Sequence, residues 1–247
     1  GAVDPLDRLY DLMDHWQIDR GWRIWRHVDA AYGGFLGAML DGPSEAALAP
    51  ETAAALRAMR RSDSITIDPH KLGYVPYACG AFLTPDAERY AVSAFDAPYL
   101  DRPELGDGKW SSTLEGSRSA AGAAATWLTA ETLGFGADGL GALMATTVET
   151  REAFEAAVRD AVPEARFLPA DSNIACFSLA RNGEALRQSN ARTQRVFDRF
   201  QGSPHFAVSK TTLGVDNAAL IAGILASHGG HDDPSSAREM LVIRCVF

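Results

Sequence analysis

The chain has 247 residues, 47% of them hydrophobic and 22% charged, with a formal net charge of −9. That composition excludes a disordered chain, and the acidic balance argues against a nucleic-acid binder, which carries a basic face. Cys79, Cys176 and Cys245 are odd in number and form no C-x-x-C pair, so free thiols in a reducing, cytoplasmic setting are expected instead of a disulfide framework.

In chain order, Asp4-Pro5 predicts a helix start with an acidic cap and proline in the first turn. Leu6, Leu9, Tyr10 and Met13 then share one face, and Gly21 marks the stop. "RIWRHVD" (23–29) reads as a strand and "YGGFLGAMLDG" (32–42) as a glycine-rich loop. A helix over 51–61, a strand over 64–68 and another strand over 79–85 follow. This alternation predicts an α/β unit with mainly parallel pairing.

From residue 117 the pattern changes. An alanine-rich helix over 117–134, a long helix over 140–162, a strand over 173–179 and an amphipathic helix over 184–202 come before strand candidates at 205–213 and 239–247. These read as a smaller α+β domain joined by long helices. No apolar run is long enough to span a bilayer, and the first residues do not resemble a signal peptide.

Two segments, "RHVDAAYGG" (26–34) and "TIDPHK" (66–71), place polar residues at the carboxyl ends of predicted strands. In open α/β sheets ligands bind at that edge. Alone, Lys71 reads as a surface lysine and Asp29 as a turn cap. Together, a carboxylate and an amine at neighbouring strand ends suit pyridoxal phosphate. That cofactor needs a lysine for its aldehyde and a carboxylate to keep its ring nitrogen protonated. Ala30 and Ala31 leave room for a flat ring.

The motifs "HVDAAYGG" and "DPHKLGYVPYACG" together resemble the group II pyridoxal-phosphate-dependent decarboxylases, and the second is particularly similar to bacterial and archaeal tyrosine decarboxylases. "STLEGSRSAAGAAATW" (112–127) is similar to a later family segment, and "HFAVSKTTL" and "VIRCVF" are weaker matches. The resemblance implies a fold-type I architecture: an incomplete large domain over 1–130 and a small carboxy-terminal domain over 131–247. It also implies roles for single residues. Lys71 would hold the cofactor's aldehyde as a Schiff base, Asp29 would pair with the pyridine nitrogen, and Ala31 would pack on one ring face. His70 would lie near the phosphate and imine. Tyr77 matches a tyrosine implicated in protonating the substrate carbon, with a packing aromatic as the equal alternative. Tyr99, in the counterpart of a catalytic loop (95–110), is the runner-up. His27 opens the strand-end motif, where a core histidine is an equal reading. Gly116, Ser117 and Arg118 match a family segment that serves either a helix start or a ligand.

The implied reaction is α-decarboxylation of an aromatic L-amino acid, a carboxy-lyase activity. An aldehyde synthase, a carbon–carbon lyase or a non-catalytic scaffold subunit are the alternatives. The family's subunit is about twice as long, so the resemblance also implies a complementary amino-terminal half, on a separate or cleaved chain, and a homodimer of the complete unit. Two patterns are set aside. "GFGADG" (134–139) follows a helix, which is the wrong context for a dinucleotide site. "HGGHDD" (228–233) reads as a solvated loop, with no metal site anywhere in the chain.

Overall fold

The computed structural model describes residues 2–86, 119–232 and 239–247. The expectations placed on Tyr99, the 95–110 loop, Gly116, Ser117 and Arg118 lie outside the described residues. The chain divides into two compact units, one of residues 4–45 and 50–142, the other of residues 1–3, 46–49 and 143–247.

In the first unit, helix α1 (Leu6–Arg20) begins one residue later than expected. Pro5 takes the cap position and the Asp4 side chain makes no cap bond; its carbonyl accepts from the Leu6 amide at 2.8 Å instead. At the other end Gly21 adopts φ 68°, a left-handed conformation in which it closes the helix by donating to Gln17 O. Tyr10 is buried, and with Leu6 and Met13 it packs against Val28, Ala30 and Ala58, whereas Leu9 is exposed. The Tyr10 hydroxyl pairs with Ser62 Oγ at 2.7 Å. Both Arg26 and Arg61 lie over its ring and bond to Asp14, which holds the Asp14 carboxyl below its usual range.

Strand β1 (His27–Asp29) is shorter than the sequence pattern suggests, and α2 (Pro50–Ala58) ends in a 3₁₀ turn, Met59–Arg61. The expected loop after β1 is a 3₁₀ helix, Gly33–Met39, because Phe35, Leu36 and Met39 are apolar enough to be buried together. Gly34 permits this: a Cβ there would come within 2.9 Å of the Ile67 side chain. Strand β2 (Ser64–Ile67) runs parallel to β1, pairing His27 with Ser64 and Asp29 with Thr66. Strand β3 (Ala81–Leu83) pairs antiparallel with β2, Ile67 opposite Ala81. No crossover helix separates them, and a parallel return requires one. The sheet order is β1-β2-β3, so β1 has no outer neighbour among the described residues. Helix α3 (Ala121–Thr132) buries none of its residues, and Trp127 is 64% exposed. Gly134, at φ 77°, follows its end, and the "GFGADG" stretch passes into a single π-helical turn, Ala137–Gly141.

The second unit is an antiparallel sheet of order β4-β5-β7-β6, with helices α4 (Ala142–Ala161), α5 (Leu186–Phe200) and α6 (Ala218–Ser227). Its strands are β4 (Ala165–Phe167), β5 (Ile174–Leu179), β6 (Ser209–Leu213) and β7 (Met240–Val246). Apolar residues lie on both faces. Met240 and Val242 pack with Leu186, Ile221 and Ile224, while Ile243, Phe177 and Phe167 pack with Phe154 and Phe197. The sequence reading contained neither β4 nor α6. The "HGGHDD" stretch also departs from expectation at its start. His228 is buried, and its Nδ1–H donates to Ile224 O at 2.8 Å, at the end of α6.

Candidate active site

The in-register pairing of β1 with β2 brings their carboxyl ends to one edge of the sheet. Beyond the last paired residues the two chains stay joined: Ala30 N donates to Thr66 O at 2.9 Å and Asp68 N donates to Ala31 O at 3.2 Å. Asp29 and Ala31 therefore stand beside the turn that carries Asp68, His70 and Lys71. This is the neighbouring arrangement that the sequence predicts.

That turn is held by its backbone. Lys71 N donates to Asp68 O at 2.9 Å, Tyr74 N to Lys71 O at 3.2 Å and Val75 N to Pro69 O at 3.0 Å. Gly73 is buried against Pro69 and Phe35, and a Cβ would come within 2.6 Å of Pro69 O, so only glycine fits. Tyr74 has φ 55°, an uncommon value for a bulky residue, and burial raises its phenol pKa.

Lys71 Nζ lies 2.8 Å from Asp68 Oδ2, with the lysine side chain 32% exposed and the aspartate 15%. Asp68 received no role from the sequence. Its position three residues before the lysine was the available signal, since an i,i+3 spacing in a turn brings the two side chains together. The Asp29 carboxylate is exposed. Its Oδ1 accepts from Ala31 N at 3.1 Å, and Oδ2 has no hydrogen-bond or ion-pair partner among the described residues.

His70 is fixed from both sides by Cys79. Its amide donates to Cys79 O at 3.2 Å, and its Nδ1 accepts from Cys79 N at 3.0 Å. An acceptor at Nδ1 places the neutral ring's proton on Nε2, which lies 3.7 Å from Asp68 Oδ2. His70 thus presents a donor. The Tyr77 ring packs on His70 with centroids 4.3 Å apart, yet Tyr77 is 79% exposed. It is therefore no core aromatic, and its phenol is accessible. Cys79 is itself held by α3, where Thr126 Oγ1 lies 3.2 Å from Sγ. Gly122 lies so close that a Cβ would meet Ala78 O at 3.0 Å.

His27 is corrected. It is exposed, not a core residue, because it shares the face of β1 that carries Asp29, while Val28 takes the buried face. Its Nδ1 lies 2.8 Å from Ser64 Oγ, and its ring stacks on Phe82 at 6.0 Å.

The groups present fit pyridoxal phosphate. There is one amine for an aldehyde, a carboxylate oxygen open to a protonated ring nitrogen, a small side chain at Ala31, and an imidazole donor beside them. Among the described residues no group of three or more His, Cys, Asp or Glu side chains could hold a metal ion. No described helix is long and apolar enough to cross a membrane.

Known proteins resemble this chain in sequence and in fold. The chain is 32% identical to the L-tyrosine decarboxylase of Enterococcus faecium over 177 residues, covering 62% of this chain and 29% of that protein. It is 33% identical over 206 residues to a probable L-tyrosine/L-aspartate decarboxylase of Methanoculleus marisnigri, covering 83% of this chain and 49% of that protein. The chain thus spans about half, or less, of the length of these relatives. Among solved structures, Oryza sativa TDC with PLP and tryptamine superposes on 99% of the chain and 43% of its own, with a TM-score of 0.70 at 19% identity, a likeness of fold. A Burkholderia pseudomallei sphingosine-1-phosphate lyase gives a TM-score of 0.54 at 30% identity over 72% of this chain and 37% of its own. The model of the pyridoxal-dependent decarboxylase conserved domain matches residues 1–180, the stretch that contains Asp29, Ala31, Asp68, His70 and Lys71. The chain belongs to the pyridoxal-dependent decarboxylase family.

Proposed function

We propose that the protein carrying this chain removes the α-carboxylate of an aromatic L-amino acid, releasing the amine and carbon dioxide. The observation that carries the reading is the parallel register of β1 and β2, which sets Asp29 beside the Lys71 turn. The activities of the Enterococcus and Methanoculleus relatives support a tyrosine-like substrate.

Bound, pyridoxal phosphate supplies a sink for the electron pair left when the carbon–carboxylate bond breaks. Lys71 would hold the cofactor's carbonyl carbon. Asp29 Oδ2 would hold the proton on its ring nitrogen, and Ala31 would give the ring a flat, small neighbour. His70 would offer its Nε2–H beside them, and the exposed Tyr77 phenol would return a proton to the substrate carbon. Asp68 carries the opposite charge beside Lys71.

The remainder of the site is proposed to come from a complementary amino-terminal half, with a homodimer of the complete unit. The edge of β1, which has no outer neighbour among the described residues, and the share of its relatives' length that the chain spans support this. A cytoplasmic setting is the reading supported by Cys79, Cys176 and Cys245, all free thiols.

The test is to incubate the full-length protein with pyridoxal phosphate and, separately, L-tyrosine, L-phenylalanine, L-tryptophan, L-aspartate and L-2,4-diaminobutyrate. Tyramine and carbon dioxide are expected from L-tyrosine. Turnover of aspartate alone would overturn the aromatic assignment, and no carbon dioxide from any of them would overturn the reaction. A carbon–carbon lyase is the second reading, favoured by the similarity to the Burkholderia lyase. Cleavage of a phosphorylated long-chain amino alcohol, with no amino acid turned over, would establish it.

A further inference from the structure

We propose that Asp68 is the counter-ion to which Lys71 returns whenever its amine is not bonded to the cofactor, and that this pairing keeps the ammonium off Asp29. The inference rests on Lys71 being the cofactor lysine of the proposed reaction, but its test needs no cofactor.

Two carboxylates stand at the carboxyl ends of β1 and β2, and only one suits each cation of such a site. A lysine amine that took Asp29 would occupy the oxygen required by the protonated ring nitrogen. The structure shows the other choice. Lys71 Nζ pairs with Asp68 Oδ2 at 2.8 Å, and no ion pair links it to Asp29 among the described residues. Asp68 is built to stay in place. Its amide donates to Ala31 O, its carbonyl accepts from Lys71 N, and its Oδ1 lies where a Cβ on Gly80 would come within 3.0 Å. With its backbone tied to Ala31 and Lys71 and its Oδ1 close to Gly80, Asp68 stays in the turn when the lysine leaves and is there for its return. His70 Nε2 lies 3.7 Å from the same Oδ2, so an approach of about 0.7 Å would let it donate once the ammonium leaves and give the carboxylate a partner in both situations.

The experiment measures acetylation of individual lysines in cofactor-free full-length protein at pH 7.5, read by peptide mass spectrometry. This chain has only Lys71, Lys109 and Lys210, so the peptides are distinct. Lys210, bonded to the neutral Gln194 at 2.8 Å, is the internal reference. Asp68→Asn, which removes the charge and keeps the shape, should speed acetylation of Lys71 by about three- to tenfold, as expected for an ion pair with a one-third exposed lysine. Asp29→Asn alone should leave the Lys71 rate within about twofold of the wild type. Added to Asp68→Asn, it should raise the rate again, because the amine then loses its second choice of carboxylate.

Equal rates in wild type and Asp68→Asn would overturn the proposal, as would an equal rise from Asp29→Asn alone. No further rise in the double variant would overturn the competition between the two carboxylates. Should Asp68→Asn fail to fold by circular dichroism, Gly80→Ala pushes on Oδ1 alone; it should raise the rate by about twofold, and an unchanged rate counts against the proposal. Borohydride reduction of wild-type protein loaded with pyridoxal phosphate separates the two readings. Absence of a pyridoxyl adduct on Lys71 would defeat the cofactor assignment and leave the acetylation result standing.

Discussion

The two units of this chain use their apolar residues differently. In the second, a four-stranded sheet is covered on both faces, and Phe154, Phe167, Phe177 and Phe247 form a continuous aromatic cluster. In the first, three strands of three or four residues carry the site, while Trp22, Trp25, Phe82, Leu83, Trp127 and Leu128 remain exposed. The second unit is stabilised by its own core. The first holds its strand ends rigid through short backbone bonds and leaves apolar surface uncovered. The candidate site and the larger apolar core are thus separated along the chain, and substitutions should distinguish them.

The sharpest contrast is at Lys71. Lys71→Ala should reduce amine production by at least about a thousandfold, since no other side chain in the turn offers a primary amine. The same variant should leave the melting temperature of the cofactor-free protein nearly unchanged, because the side chain is partly exposed and buries little apolar surface. Assays of product release and thermal unfolding on one preparation would show both. A variant that unfolds, instead of merely falling silent, would place Lys71 among the structural residues.

Phe177→Ala should do the opposite. Phe177 is buried between Phe167, at 4.9 Å between ring centroids, and Phe154, at 6.3 Å. Truncation to alanine removes a large apolar side chain and leaves a cavity, at a cost of about 3–5 kcal/mol in unfolding free energy. Denaturant titration should show the loss. The Lys71 adduct formed on borohydride reduction should persist in the fraction that stays folded.

The sequence revealed the site more readily than the architecture around it. Asp29 and Lys71 stood out as polar residues at the ends of apolar strands, while their roles and that of His70 came from the family resemblance; the structure places all three at the shared edge of β1 and β2. The 3₁₀ helix at Gly33–Met39 was not legible, because a glycine-rich stretch reads as a loop until Phe35, Leu36 and Met39 find something to pack against. Strand β4 has three residues, too few to show a period, and α6, almost uniformly apolar, shows no helical face. His27 illustrates the same limit. Its alternation with Val28 shows that the two face opposite sides of β1, but not which side is covered. Asp68 was missed for another reason. In sequence it looks like the first residue of a turn, and its ion pair exists only after the turn folds Lys71 back over it.

The surface of α3 refines the comparison at lower amplitude. If the remainder of the protein covers this helix, Trp127→Ser should weaken that association by about 2 kcal/mol, roughly thirtyfold, as for a central aromatic anchor. The stability of the first unit by itself should change little, because Trp127 is 64% exposed there. Analytical ultracentrifugation of the variant across a concentration series would detect the shift. An unaltered association constant would show that the apolar face of α3 is not the covered one.

The smallest expected effect lies in the second unit, where a charge pair supplements the apolar core. Glu184 accepts from Arg192 at 2.6 and 3.2 Å and from the Arg181 amide at 2.8 Å, with only 12% of its side chain exposed. The Arg192 hydrogen bonds hold the Glu184 carboxyl below its usual value of 4.5, against the opposing effect of burial. Between the folded value and the unfolded value of about 4.5, the unfolded chain binds more protons, so stability rises with pH in that window. The contribution is fully present above the unfolded value and is lost as pH falls through the folded one. Glu184→Gln should therefore cost about 1–2 kcal/mol at pH 7. The difference from the wild type should shrink as the pH falls below 4.5, because protonation then does to the wild type what the substitution does permanently. Thermal unfolding of the two proteins between pH 3 and 7 would show that convergence. Parallel curves would mean that Glu184 acts through its shape in the turn before α5 and not through its charge.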